Sequence, residues 1–187
     1  MARLARIVVP GLSHHVVHRA RPGVALFRDQ TDYTRFEELL RRNCALYDAE
    51  LEAYCLMPDH VHLVLLPRST QALARSIGET GRLYGRCRGL GAAQLWHGRF
   101  RSCPLDEEHA KAAIAYVAAN AGRARLGAWR WQYPDGSPFA ATERQIEAIR
   151  KSTRTGRPAG SSEFYSRLEY DIGRSLSPRK RGRKAKW

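Results

Sequence analysis

The sequence has few acidic residues for its length. Its 187 residues include 18 Asp and Glu against 32 Lys and Arg, so the formal net charge is +14 and the isoelectric point is near 10.3. Such an excess of cationic side chains indicates a polyanionic partner, most simply nucleic acid. A structural RNA-binding protein would show the same bias, so the charge alone does not identify an activity.

The sequence also lacks the cysteine pairs and long apolar runs of several protein classes. The four cysteines are scattered and form no Cys-x-x-Cys pair, which argues against a zinc knuckle and against a redox motif. A scattered set of this kind fits a reducing cytoplasm, which is the location we expect. The N-terminal apolar run is too short for a signal peptide, and no stretch approaches the roughly 20 apolar residues of a membrane span. We therefore expect no membrane partner.

The chain length and a change in composition predict one domain followed by an extension. A hydrophobic content of 43% is enough for a substantial core. After Arg150 the composition changes, and residues 151–187 carry eleven Lys or Arg against three acids, interspersed with Gly, Ser and Pro. We expect one folded domain over 1–150 and a basic tail over 151–187, whose charge suits a polyanion such as DNA.

The spacing of apolar residues predicts alternating strands and helices in the first 121 residues. Strands are predicted within 6–20, 50–56, 59–66 and 95–105. Helices are predicted over 31–47, 70–87 and 107 to about 121, with a further short helix within 161–176. Asp29 or Thr31 is a suitable cap for the first helix and Asp106 for the third.

One predicted strand carries two histidines in the sequence Met57-Pro-Asp-His-Val-His-Leu63. Side chains alternate across a strand, so His60 and His62 point to the same face, while Val61 and Leu63 point to the other face and a core. Two imidazoles about 7 Å apart on one face can share a single divalent metal ion.

The third predicted helix carries two polar residues that suit the same chemistry. Tyr116 and Asn120 are spaced i, i+4 and so share a helix face, and Arg123 continues that line. The amide oxygen of Asn120 is a ligand suited to Mg²⁺ or Mn²⁺ rather than to a closed zinc site. The Tyr116 phenol next to a metal-bound phosphate is a nucleophile that can break a phosphodiester and conserve its energy in a phosphotyrosine. Packing of the tyrosine and helix capping by the asparagine are the plain alternatives.

Other basic and aromatic residues are candidates for contacts with DNA. Arg99, Arg101 and Arg123 can hold phosphates, whereas Trp96 can either stack on an unpaired base or pack in the core. His15 and His18 of the first strand are either metal or phosphate contacts or ordinary polar strand-edge residues.

Together these motifs resemble the single-tyrosine HUH transposases (U is a hydrophobic residue), and among them the REP-associated tyrosine transposases of bacteria. The resemblance runs from about Arg6 to Leu126. Its pieces follow the family order: Ser13-His-His-Val-Val-His-Arg19, Phe27-Arg-Asp29, Ala53-Tyr-Cys-Leu-Met-Pro-Asp-His-Val-His-Leu63, Leu95-Trp-His-Gly-Arg-Phe-Arg101 and Tyr116-Val-Ala-Ala-Asn-Ala-Gly-Arg-Ala124. Many relatives have Asn-Pro where this chain has Asn120-Ala121. In the tail, Thr155-Gly-Arg-Pro-Ala-Gly160, which contains Arg157, also resembles the C-terminal extension of REP-associated members.

The resemblance implies a fold, a reaction and a set of roles. The implied fold is ferredoxin-like α+β, with helices packed on a central antiparallel sheet that carries the HUH motif, followed by the basic extension. His60 and His62 would bind Mg²⁺ or Mn²⁺, with Asn120 as third ligand, and Tyr116 would be the nucleophile. The implied substrate is single-stranded DNA beside a short REP-like hairpin, cut to give a 5′-phosphotyrosine and a free 3′-OH. In the tail, Arg181 and Arg183 resemble a minor-groove hook, or simply grip phosphates.

Three alternatives stay open at this point. A histidine-triad nucleotide hydrolase is the least favoured of them, because it needs a third histidine where this chain has Val64. A plasmid relaxase or replication initiator would use the same chemistry in a longer chain. A non-catalytic hairpin-binding protein or repressor derived from a transposase would keep the charge and lose the reaction. The sequence does not decide between a monomer and a homodimer.

Overall fold

The computed structural model describes residues 6–123, 131–132 and 140–176. Along the chain the elements are β1 (His14–Arg19), α1 (Gln30–Leu46), β2 (Ala49–Met57), β3 (His60–Pro67), α2 (Ala72–Cys87), the short α3 (Ala92–Leu95), β4 (Arg101–Pro104), α4 (Glu107–Arg123), the two-residue β5 (Trp131–Gln132), α5 (Glu143–Thr155) and α6 (Ser162–Ile172).

The strands form one antiparallel sheet in the order β4-β1-β3-β2-β5. The first six major elements follow the pattern βαββαβ, which with this strand order is the ferredoxin-like arrangement. The α+β fold expected for the chain is thus confirmed. Strand β3 lies in the middle, paired with β1 on one side and β2 on the other, so its two histidines are held on both flanks by backbone hydrogen bonds.

The two faces of the sheet are covered by different helices. On one face Val61, Leu63 and Leu65 join the larger core, which also takes buried residues of α1 and α2. On the other face Val64 packs in a second core with residues of α4 and α5. The alternation read from β3 is therefore confirmed, and it directs the histidines to the α4–α5 face.

Side-chain caps fix where several helices begin. The Asp29 carboxylate accepts from the backbone N–H of Asp32 at the start of α1, and Asp106 accepts from His109 at 2.8 Å at the start of α4. Ser161 caps α6 in the same way. Each cap satisfies a backbone donor that has no partner inside its helix, so the predicted starts at Asp29 and Asp106 are confirmed.

The segment predicted as a basic aromatic strand is mostly not a strand. Only Arg101–Pro104 pairs with β1 as β4, while Trp96 makes an isolated bridge to Ala20. Between them Gly98 has a φ of +73°, a left-handed conformation that glycine adopts without a steric penalty. This turn interrupts the extended chain, so the strand predicted within 95–105 is present only as β4, and its placement over the aromatic residues 96–100 was wrong.

Helix α5 is the longest element that was not predicted from the sequence. It runs across residues 150 and 151, where the boundary between domain and tail is predicted, so no break in secondary structure marks that boundary. Beyond α5 the chain returns to the sheet, where Ala159 bridges Leu105 beside β4. The backbone of Ala159 exchanges hydrogen bonds of 2.9 and 3.0 Å with Pro104 and Asp106, which covers the open edge of β4.

Within the residues that the structure describes, no helix is long and apolar enough to cross a membrane.

Three buried histidines of β1 predict that the fold is sensitive to acid. Burial lowers the pKa of His14 and of His18 to about 4, and that of His15 to about 3. The unfolded chain takes up these protons near pH 6.5, whereas the folded chain resists them, so stability is complete above pH 6.5 and falls as the pH drops towards 4. We expect a loss of up to about 1.4 kcal/mol per pH unit for each histidine, measured by urea unfolding between pH 7.5 and 4.5.

A His18→Phe variant is the control for this prediction. It keeps a ring at that position and removes one titrating group, so its unfolding free energy should depend less steeply on pH. An unchanged slope would contradict the assignment.

Candidate active site

A cavity of about 440 Å³ opens on the α4–α5 face of the sheet, and we call it the histidine cavity. Its walls come from β1, β3, the segment before β4, α4 and α5. The lining residues are His15, Val17, Arg19, His60, His62, His97, Arg99, Arg101, Tyr116, Arg150, Thr153 and Arg154. None of them is acidic and five are arginines, so the cavity favours an anionic ligand.

The two histidines of β3 face each other across this cavity. Their Nε2 atoms are 3.0 Å apart. His62 is 8% exposed, and His60 lies nearer the surface. His60 Nδ1 lies 2.6 Å from Asp59 Oδ1 and donates its hydrogen to that carboxylate. In a neutral imidazole only one nitrogen carries hydrogen, so Nε2 of His60 is left with a free lone pair.

A buried chain of short contacts reaches His62 as well. The Thr153 hydroxyl lies 2.8 Å from the Ile149 carbonyl oxygen, 2.7 Å from His15 Nδ1 and 3.2 Å from Cys103 Sγ. When this hydroxyl donates to Ile149, it accepts from His15 Nδ1, and His15 Nε2 accepts from His62 Nδ1 at 3.0 Å. In this tautomer the Nε2 atom of His62 also carries a free lone pair.

With hydrogen on Nε2 of His62, the 3.0 Å contact is a hydrogen bond between two neutral rings; with hydrogen on Nδ1 of both rings, two lone pairs lie together and can share a cation. A protonated pair is disfavoured, because burial lowers the pKa of His60 and holds that of His62 well below its usual range. A divalent metal ion fits the same arrangement. Neighbouring ligands about 2.1 Å from an octahedral ion are themselves about 3.0 Å apart. The described residues contain no group of three or more His, Cys, Asp or Glu side chains arranged as metal ligands.

Tyr116 reaches the histidine cavity from α4. Its ring centroid is 5.6 Å from that of His62, and the side chain is 4% exposed. Arg150 Nε donates to the phenol oxygen at 3.2 Å, and the guanidinium lies 5.1 Å from the centre of the ring. A cation at this distance stabilises negative charge on the phenol oxygen.

Of the other residues predicted to contact DNA or the metal ion, some line the histidine cavity and others do not. Arg99 and Arg101 line the histidine cavity. Trp96 does not, because it lies on the opposite face of the sheet with its ring stacked on His18 at 3.8 Å. Asn120 is not among the residues that line the cavity, although it follows Tyr116 by one turn, and its Nδ2 atom is buried without a hydrogen-bond partner.

The remaining predicted DNA contacts lie in the C-terminal part of the chain or at the end of α4. Arg157 Nε donates to the Leu176 carbonyl at 2.8 Å, so this side chain also holds the segment after α6 in place. The side chain of Arg123, and Arg181 and Arg183 entirely, lie outside the described residues.

Sequence reasoning missed Arg150 and Thr153, which come from the same helix. They occupy adjacent turns of α5 and so reach the cavity together. Thr142 followed by Gln145 forms a capping box at the start of α5, and Gly156 ends it in a left-handed conformation. These two signals were available in the sequence, but nothing local links the helix to the histidines, which lie about 90 residues earlier.

Comparisons with known proteins identify a family and a similar fold. The sequence model of the family described as "Transposase IS200 like" matches residues 8–120. Among solved structures, a REP-associated tyrosine transposase bound to a REP hairpin is similar, with a TM-score of 0.57 and 17% identity over 66% of this chain and 74% of that one. A candidate transposase from Deinococcus radiodurans R1 has a TM-score of 0.43 and 22% identity over 64% of this chain and 97% of that one. No curated protein matches the chain.

The hydrogen-bond chain predicts an unusual protonation pattern that NMR can read directly. With ¹⁵N-labelled histidine at pH 7.5, long-range ¹H–¹⁵N spectra should show His15, His60 and His62 each with hydrogen on Nδ1. Thr153→Val removes the hydroxyl that accepts from His15, so hydrogen should move to Nε2 in part of the His15 and His62 population. Thr153→Ser keeps the hydroxyl and should keep hydrogen on Nδ1. Hydrogen on Nε2 of His62 in the unaltered protein would contradict the assignment.

Proposed function

Because the chain belongs to the family of IS200-like transposases, we propose that it cuts and rejoins single-stranded DNA beside a REP-like hairpin through a covalent 5′-phosphotyrosine. The observation that carries the proposal is the position of Tyr116 in a basic cavity, with its ring 5.6 Å from that of His62 and its oxygen bonded to Arg150. The family expected from the sequence motifs is confirmed by the match over residues 8–120.

In the proposed reaction the Tyr116 oxygen attacks the scissile phosphorus, and the bond from phosphorus to the 3′ oxygen breaks. The phenol hydrogen passes to water, and the departing 3′ oxygen takes up a proton to become a free 3′-OH. Arg150 stabilises the charge on the phenol oxygen during the attack. The new phosphotyrosine has about the energy of the bond that was broken, so a second 3′-OH can reverse the step and join another strand.

His60 and His62 would hold the divalent metal ion, and Asn120 is the proposed third ligand. The facing lone pairs of the two imidazoles support this fit, and Asn120 has a buried amide nitrogen without a partner one turn after Tyr116. A bound Mg²⁺ or Mn²⁺ would supply Lewis-acid polarisation of the scissile phosphate. His15 keeps the lone pair of His62 directed into the cavity.

The arginines of the cavity would hold the DNA backbone on either side of the scissile phosphate. Arg99 and Arg101 approach from the β4 side of the cavity, while Arg150 and Arg154 approach from α5. Contacts of this kind position a strand without reading its sequence. We assign hairpin binding to the basic extension, which contains Arg157, Arg181 and Arg183. Arg123 is a further candidate for a phosphate contact.

The REP-like hairpin as substrate is proposed by similarity. A related fold is known with a REP hairpin bound, and the net charge of +14 gives this chain the electrostatic attraction that such a substrate needs. The alternative is a non-catalytic hairpin-binding protein, and the first experiment distinguishes it from the proposed enzyme.

That experiment is a cleavage assay with hairpin oligonucleotides that carry single-stranded flanks. With Mn²⁺ or Mg²⁺ the protein should form a covalent adduct that survives a denaturing gel, and Tyr116→Phe should form none, because it lacks the attacking oxygen. His60→Ala should lower adduct formation by at least about tenfold, as expected when a metal ligand is lost. Tight binding without any adduct would support the non-catalytic alternative and overturn the proposal.

The geometry further predicts that each chain uses its own tyrosine, because Tyr116 and the histidine pair line one cavity of the same chain. An equimolar mixture of Tyr116→Phe and His60→Ala proteins should therefore form no more adduct than the two variants measured separately. If the tyrosine served a partner subunit, mixed dimers would contain one intact site and adduct would return. Recovery of adduct in the mixture would overturn the prediction.

A further inference from the structure

A second cavity, of about 570 Å³, lies on the opposite side of the sheet, and we call it the glycine cavity. It opens between α2 and the segment 96–100 that precedes β4. Helix α2 contributes Ala74, Gly78, Gly81 and Arg82 to its wall, so apart from the Arg82 side chain no group larger than a methyl lines the cavity from this helix.

The two α2 glycines that line this cavity, Gly78 and Gly81, differ in what surrounds them. A Cβ atom on Gly81 would lie 2.9 Å from Nε1 of Trp96, whose indole donates to the Gly81 carbonyl, so close packing requires glycine there. A Cβ atom on Gly78 would meet nothing within 4 Å. Glycine inside a helix costs about 1 kcal/mol relative to alanine, and at Gly78 no packing contact offsets that cost. What the glycine preserves is open space in the cavity.

The floor of the cavity is apolar and aromatic. Trp96 and Phe100 line it, although both are largely buried, with one face of Trp96 covered by His18. The Arg6 guanidinium covers the Phe100 ring at 3.6 Å, so both rings present only a small apolar surface to the cavity. A flat apolar ligand that enters would be held by shape between this aromatic surface and the smooth wall of α2.

The rim of the cavity is basic. Four arginines line it and no lining residue is acidic. Arg21 donates to the Ala93 carbonyl, and Arg82 pairs with Glu79. Arg99 has no hydrogen bond or ion pair with the residues that the structure describes. A ligand with a flat apolar body and negative charge at its ends matches this distribution, as a nucleotide within a DNA strand does.

The glycine cavity and the histidine cavity share two lining residues. His97 and Arg99 line both. The turn at Gly98 brings them across the end of β1, where His97 N donates to the Arg19 carbonyl at 2.9 Å. A strand that lies beside Tyr116 can thus pass over His97 and Arg99 to the other side of the sheet.

From these observations we propose that the glycine cavity binds an unpaired base of the same single strand whose phosphate lies beside Tyr116. This inference rests on the proposed function, because it requires a single strand in the histidine cavity. The base is held by shape and apolar contact, and the arginines of the rim hold the phosphates next to it. Gly78 is the residue that keeps the base position open.

The test compares two substitutions of Gly78 that differ mainly in size. Alanine and leucine are both strong helix formers, so Gly78→Ala and Gly78→Leu should stabilise α2 to a similar extent. Only leucine fills the cavity. We expect Gly78→Leu to weaken binding of a hairpin with single-stranded flanks on the order of tenfold, as for the loss of one base contact, and Gly78→Ala to weaken it far less. Binding of the fully paired hairpin without flanks should be equal for both.

The base position is found with the fluorescent base 2-aminopurine, placed at each flanking nucleotide in turn and bound to the Tyr116→Phe protein. One position should change in fluorescence on binding, and that change should disappear when Gly78→Leu is added. Ala93→Leu fills the cavity from the other side and should give the same result, which guards against a folding defect of the first variant. Equal affinity of the Leu and Ala variants, with no position sensitive to either filling, would overturn the inference.

This test is independent of the reaction itself. Affinity and fluorescence are measured without cleavage, so absence of a Tyr116 adduct in the unaltered protein would count against the proposed function alone. If Gly78→Leu does not weaken binding of the flanked hairpin while the unaltered protein forms the Tyr116 adduct, the result would count against the base site alone.

Discussion

The buried hydrogen-bond chain from Ile149 through Thr153 and His15 to His62 determines most of what the site can do. It joins α5 to β1 and β1 to β3, so three separate parts of the chain must be in place before the lone pair of His62 points into the cavity. A polar chain in a low-dielectric interior is costly when one partner is missing. The same bonds that orient the imidazole therefore also hold α5 against the sheet.

In the histidine cavity, burial keeps the histidines neutral, and arginines carry the positive charge. Desolvation lowers the pKa of His62 and His60, so both rings stay neutral near pH 7. The positive charge is carried instead by arginines, which cannot lose their protons in this pH range. Under the proposed function, neutral imidazole nitrogens would hold the metal ion while fixed cations attract the phosphates.

Local patterns in the sequence predicted the parts of the fold that local physics controls. The alternation in β3 gave the correct face for His60 and His62, and Asp29 and Asp106 gave the correct helix starts. Trp96 was harder to place, since a turn at Gly98 and a stack on His18 decide its environment. Arg150 and Thr153 could not be assigned from sequence, because their partners Tyr116 and His15 lie 34 and 138 residues away. Their roles depend on packing that only the folded sheet brings about.

The return of the chain to the edge of β4 limits how this protein can exchange parts with its relatives. Arg150, Thr153 and Arg154 line the histidine cavity, and Ala159 covers the sheet edge beside Leu105. A recombinant that takes its basic C-terminal segment from a relative must therefore join the two sequences after Ala159. A crossover at the change in composition near residue 150 would pair the strand edge and the second half of α5 with foreign partners. The segment that can be exchanged without disturbing this packing begins later than the composition of the sequence suggests.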